Sequence, residues 1–172
     1  MKALQKLIGR GLDWVQTRAL RPEFVLRDGD EPVATLALSR PDGASALATC
    51  AEGRWTFERA GFLHTEIAIR SAVTGLRLGV FRRNLRSIRG TLTLDDGRQF
   101  SAALNPSGMA IEFQTEAGEP LLRLQQTGRN FGRGLQLTGA ARTAPMLHEL
   151  PWLAELGWYL VMLNRNAAAA AG

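Results

Sequence analysis

From Arg21 onward, apolar and polar residues alternate in short runs broken by polar turn clusters, the period-two signature of half-buried strands. Phe24–Arg27 and Val33–Leu38 flank Asp28-Gly29-Asp30-Glu31-Pro32 as a hairpin, and Pro41-Asp42-Gly43 leads to Ala46–Cys50. After Glu52-Gly53 come Trp55–Glu58, Glu66–Ile69, Leu76–Phe81, Thr91–Leu94, Phe100–Leu104, Ala110–Phe113, Leu121–Leu124 and Leu135–Thr138. These make eleven candidate strands. In the run from Leu76, alternation puts Leu76, Leu78 and Val80 on one face and Arg77, Phe81 and Arg83 on the other, so the arginines are expected to point to solvent. The turn glycines Gly29, Gly53, Gly75, Gly97 and Gly118 recur at intervals of 21 to 24 residues. Short strands so regularly punctuated predict an antiparallel sandwich or barrel and leave no room for a nucleotide-binding βαβ unit.

The C-terminus breaks this period. Pro151 suits a first helical turn, and the residues from Leu156 to Leu163 are apolar on every face. A helix hydrophobic all round is either in a membrane or enclosed by protein. Spanning needs roughly 20 apolar residues, and this run is shorter, with Glu155 inside it, so a helix at about 150–164 enclosed by the strands is expected. The alanine-rich residues 166–172 read as a disordered tail.

At the N-terminus, Leu4, Leu7, Ile8, Leu12, Val15 and Ala19 recur at helical spacing, with Lys2, Lys6, Arg10 and Arg18 largely off the stripe. This predicts a short basic amphipathic helix within residues 1–20, weakened by about 1 kcal/mol at each of Gly9 and Gly11. Such a helix either lies on an anionic membrane or packs on its own domain. The charges also interrupt any signal-peptide core, so a cytoplasmic, membrane-peripheral location is the expectation.

Charge sharpens the picture. The formal net charge is +5 with a pI near 10.6, and Lys2 and Lys6 are the only lysines. Arg70, Arg77, Arg82, Arg83, Arg86 and Arg89 fall in an acid-free window between Glu66 and Asp95. Arg123, Arg129, Arg133 and Arg142 fall in another, between Glu119 and Glu149. A genome bias toward arginine accounts for the count, but if the windows meet in the fold, one side of the molecule attracts anions.

Catalytic and metal chemistry find little to work with. One cysteine excludes a disulfide framework and a cysteine-based zinc site, and two histidines leave little for a metal centre or for acid–base catalysis. His148-Glu149 lacks the second histidine of a zincin, and no nucleophile elbow occurs. Cys50, in a run of small apolar residues, reads as a buried small hydrophobe. Gly128-Arg129-Asn130-Phe131-Gly132-Arg133-Gly134 could cradle phosphate on backbone N–H groups and guanidinium forks but lacks the Lys-Ser/Thr of a P-loop, and a flexible hairpin loop is the plainer reading. Phe81 and Phe131 are too few aromatics for a base-stacking platform, which counts against nucleic acid.

The terminal run from Leu150 to Leu160, Leu-Pro-Trp-Leu-Ala-Glu-Leu-Gly-Trp-Tyr-Leu, together with Gly53-Arg54-Trp55-Thr56-Phe57, resembles the bacterial tubby-like, phospholipid scramblase-like and LURP-one-related β-barrel proteins over about residues 21–164. The resemblance implies a mainly β (α+β) fold, a closed antiparallel barrel of about twelve strands around a buried hydrophobic C-terminal helix at about 150–164, with residues 21–165 as its domain. It implies a tie to membranes, since tubby proteins bind phosphoinositides and scramblases act on phospholipids. It brings no catalytic residues, and the absence of an EF-hand loop or a palmitoylated cysteine cluster counts against scrambling. The expectation is a non-enzymatic module without a cofactor. Its phosphate-binding face is Arg82, Arg83, Arg86, Arg89, Arg129 and Arg133, and its partner is an anionic membrane surface or a phosphoinositide-like lipid. The alternatives are a structural or protein-interaction barrel with no ligand and, from charge alone, a nucleic-acid binder.

Overall fold

The computed structural model describes residues 1–7, 9–17, 23–39, 43–60, 65–84, 89–126, 135–139 and 148–172, with the backbone alone for residues 5 and 135–139. It is mainly β, antiparallel, with one C-terminal helix. The strands are β1 (Gly11–Gln16), β2 (Glu23–Asp28), β3 (Glu31–Leu38), β4 (Ser45–Cys50), β5 (Gly53–Ala60) and β6 (Glu66–Ser71), then β7 (Arg77–Arg83), β8 (Arg89–Leu94), β9 (Gln99–Leu104), β10 (Ala110–Thr115), β11 (Pro120–Gln126) and β12 (Leu135–Gly139). Each pairs with the next in sequence. Among the described residues β1 also meets β12 over two residue pairs, Gly11 opposite Gln136 and Leu12 opposite Leu135.

The helix α1 (Leu150–Ala171) runs through the interior. It buries every residue from Leu150 to Met162 against inward side chains such as Phe57, Ile69, Leu92, Phe113 and Leu124. Period-two alternation selects those residues: Trp55 and Phe57 on β5, Ile67 and Ile69 on β6, and Leu92 and Leu94 on β8 are buried while their neighbours are not.

Because neighbouring strands are antiparallel, the connections alternate between two rims. Odd strands finish on one rim and even strands on the other. At the even rim α1 begins, with Glu149 bound to Arg98 of the β8–β9 turn. At the odd rim α1 approaches its end: the Tyr159 hydroxyl donates to the Gly43 carbonyl. Cβ atoms placed on Gly43 and Gly108 would stand 2.8 and 2.5 Å from Leu163 and Asn164.

Three expectations are corrected. The N-terminal helix is absent. Leu4–Leu7 forms a single 3₁₀ turn and Gly11–Gln16 is a strand of the same sheet. Gly9, at φ 87°, turns the chain through a left-handed conformation that breaks a helix, and pairing with β2 then favours alternation of Leu12 and Trp14 inward. Leu4, Leu7 and Leu12 are 0–1% exposed, so this apolar stripe belongs to the core and is no membrane contact. Lys2 and Arg10, ion-paired to Asp28, hold the segment against the even rim.

At the other terminus, residues 166–171 are helical rather than a disordered tail, in keeping with alanine's helix propensity.

On β7 the expected faces hold only in part: Arg77 and Arg83 are exposed as expected and Leu78 packs against the core. Leu76 is 67% exposed, while Gly79 and Phe81 point inward. The larger ring has an inward slot above Gly90, where no side chain stands in its way.

Candidate anion-binding site

The inward placement of Phe81 matters because residues two apart share a face. Arg83 follows Gly79 and Phe81 on the inward parity, and Arg59 follows Trp55 and Phe57 in the same way on β5. Both stand at the odd rim, where the strands end and an inward side chain can reach water. Arg89 begins β8 with the outward parity of Thr91 and Thr93, one residue before Gly90, which pairs with Arg83, and reaches the cavity from the strand end. These three arginines border a cavity of about 300 Å³ between α1 and β5–β9. Its floor and walls are Ile67, Phe81, Leu104, Leu160 and Leu163, and Thr65, Asn164 and Asn166 add polar groups. Among the described residues, no carboxylate lines it. Arginines bordering a partly enclosed apolar space suit a phosphate or carboxylate, which a guanidinium can grip bidentately.

The turns from each even strand to the next strand carry Asp30, Glu52, Asp95, Asp96, Glu116 and Glu119 against Arg98, with Lys2 and Arg10 at the same rim. Those that leave odd strands carry, in sequence, Arg18, Arg21, Arg40, Arg86, Arg129 and Arg133 against Asp42 alone. The latter all lie outside the described residues, but the strand ends they join are described.

The expected site residues separate accordingly. Arg83 and Arg89 border the cavity. Arg82 faces outward and pairs with Glu66 at 2.8 Å, and with Arg83 and Arg89 it edges an outer groove containing Thr91, Thr93 and Ser101. Arg86, Arg129 and Arg133 lie outside the described residues. Arg59 escaped the reading by acid-free windows because Glu58 and Glu66 flank it in sequence. Its parity with Trp55 and Phe57 was the signal that could have found it.

Elsewhere, Cys50 is buried and donates to Glu52 Oε2 at 3.1 Å. Burial first, then this bond, pushes its thiol up to about 12. Among the described residues, no cluster of three or more His, Cys, Asp or Glu is placed to hold a metal. No described helix is long and apolar enough to cross a membrane. Comparison with family models, with curated proteins and with solved structures finds no match to this chain.

Proposed function

We propose that the chain is a non-enzymatic binding module that takes anionic, phosphate-bearing headgroups at its odd rim and works at the surface of anionic membranes on the cytoplasmic side. The reading includes a barrel closed at the β1–β12 seam around α1, as in the tubby-like, scramblase-like and LURP-one-related proteins. The observation that carries it is that Arg59, Arg83 and Arg89 border one cavity that no described carboxylate lines. The arginines of the odd-strand connections, Arg86, Arg129 and Arg133 among them, would extend the same field over a flat anionic surface.

Co-sedimentation with vesicles tests this. Full-length protein is mixed with neutral phosphatidylcholine vesicles, and with vesicles that also contain phosphoinositide or cardiolipin, beside the Arg83→Ala/Arg89→Ala variant. Binding to the anionic vesicles should weaken as salt rises, and the variant should lose most of it. Failure to bind at low salt, or equal binding by the variant, would shift the weight to a structural or protein-interaction role.

A further inference from the structure

Beneath the arginines, the cavity has a wall that a bare phosphate would not use. Ile67, Phe81 and Leu104 come from three strands, and Leu160 and Leu163 come from the helix. Earlier turns of α1 fill the interior with Trp152, Trp158 and Tyr159. The space opens where the helix turns to smaller side chains, Ala167 and Ala170. The helix residues that line it run from buried Leu160 to exposed Ala170, about 15 Å of helix at 1.5 Å per residue.

Building on the headgroup reading above, we infer that this cavity receives the hydrocarbon chain of a single-chain anionic amphiphile, with its head held at Arg59, Arg83 and Arg89. Volume limits the ligand to one chain. The space of about 300 Å³ lies at the small end of ligand sites, and at roughly 30 Å³ for a group the size of a water it admits on the order of ten methylenes. Polarity sets the orientation: the arginines, Thr65, Asn164 and Asn166 accommodate a charged head, while the apolar residues offer it nothing. A fatty acid, a monoacyl phospholipid and an alkyl phosphate share this chemistry.

The test measures affinities below the micellar range for dodecyl phosphate, dodecanoate, inorganic phosphate and the neutral dodecyl maltoside. Dodecyl phosphate or dodecanoate should bind at least about tenfold tighter than inorganic phosphate, since chain burial adds to the head contacts. The tighter of the two identifies the head. Dodecyl maltoside should bind weakly. In Ala167→Phe or Ala170→Phe, whichever keeps the parent's circular dichroism, the advantage of the chain over inorganic phosphate should disappear. Equal affinities for inorganic and dodecyl phosphate would overturn the inference, as would tight binding of the maltoside. If anionic vesicles still sediment the parent protein in that event, the headgroup reading survives; if they do not, both fail.

Discussion

Trp14 of β1 and Trp158 of α1 stack with ring planes 1° apart and centroids 5.3 Å apart. Both are almost wholly buried. The pair ties the helix to β1, the strand that meets β12 over two residue pairs among the described residues. Truncating a buried tryptophan to alanine costs about 3–5 kcal/mol. Trp158→Ala should lose that much in urea unfolding, and a double-mutant cycle with Trp14→Ala should give a coupling of about 0.5–1.5 kcal/mol beyond the buried area. A loss below about 1 kcal/mol would mean the interior repacks and the stack is incidental.

Gly90 exists for Phe81. A Cβ built on Gly90 would stand 2.2 and 2.6 Å from two carbons of the Phe81 ring and 2.9 Å from the Arg82 carbonyl oxygen. The ring is enclosed and the carbonyl is backbone, so neither yields cheaply. Gly90→Ala should destabilise by about 1–3 kcal/mol through overpacking, and Phe81→Leu in the same chain should recover part of the loss. An unchanged thermal midpoint in Gly90→Ala would show that Phe81 has another place to go.

That slot also explains where reading the sequence succeeded and where it failed. Hydrophobic alternation located the hairpins because each inward residue is paired across the strands with another, as Phe57 is with Ile69. The enclosed helix was legible from a run apolar on every face. Parity on β7 was not, because Leu76, Leu78 and Val80 are as hydrophobic as an inward row; only the fit of one ring over one glycine, distant by nine residues, decides it. Leu4 and Leu7 satisfy a helical stripe and a 3₁₀ turn equally well, and the left-handed Gly9 decides between them. The site was half legible for the same reason: charge windows report composition, whereas facing the cavity depends on strand parity and on where each strand ends.

Glu155 gives the fold a pH dependence. It is wholly buried inside α1, and the Thr49 backbone amide is too poorly placed to give either carboxylate oxygen a well-formed hydrogen bond. Burial, and then the nearby Glu52 charge, hold its carboxyl well above the ordinary 4.5, with the Thr49 backbone amide opposing only in part. Cys50, beside it, adds no compensating charge. Below pH 4.5 both folded and unfolded chains keep the proton. Above it the unfolded chain releases the proton while the fold retains it, so this group's contribution falls as pH rises until the native carboxyl ionises. Each pH unit in that window removes up to about 1.4 kcal/mol, and a chain of this size loses roughly 2–4 °C per kcal/mol. Glu155→Gln should therefore melt higher than the parent at pH 8, with the gap closing toward pH 4.5. A gap that does not change with pH would show that the carboxyl finds relief in the folded chain.

Cys50 should be chemically quiet for a related reason. A thiol held at about 12 by burial and by its bond to Glu52 carries about one thiolate in ten thousand at pH 8, and the thiolate is the nucleophile. Labelling of the native protein by a disulfide reagent should be slower than that of the urea-unfolded chain by on the order of a thousandfold. Glu52→Gln should speed native labelling by weakening the hydrogen bond that holds the proton on sulfur. Prompt labelling of the native parent would contradict the burial of this strand.

Arg82 and Arg83 offer the sharpest contrast, since adjacent residues of one strand face opposite ways. Arg82 points outward, with its Nε 2.8 Å from Glu66 Oε1, whereas Arg83 shares the parity of Phe81 and borders the cavity as well as the outer groove. An exposed pair such as Arg82–Glu66 contributes about 0–1 kcal/mol, and its charge is already matched. Arg83→Ala should therefore weaken binding to anionic vesicles by at least about tenfold, in line with losing a charged hydrogen bond of about 1.5–3 kcal/mol. Arg82→Ala should change binding by less than about threefold. The reverse order would move the binding surface to the outer groove along Thr91, Thr93 and Ser101. It would also remove the reason for coupling headgroup capture to the apolar cavity, because that groove lies on the outer face of the sheet. Equal losses would indicate attraction by the general field of the rim instead of capture at a built site, and would then scale with net charge in any pair of rim arginines.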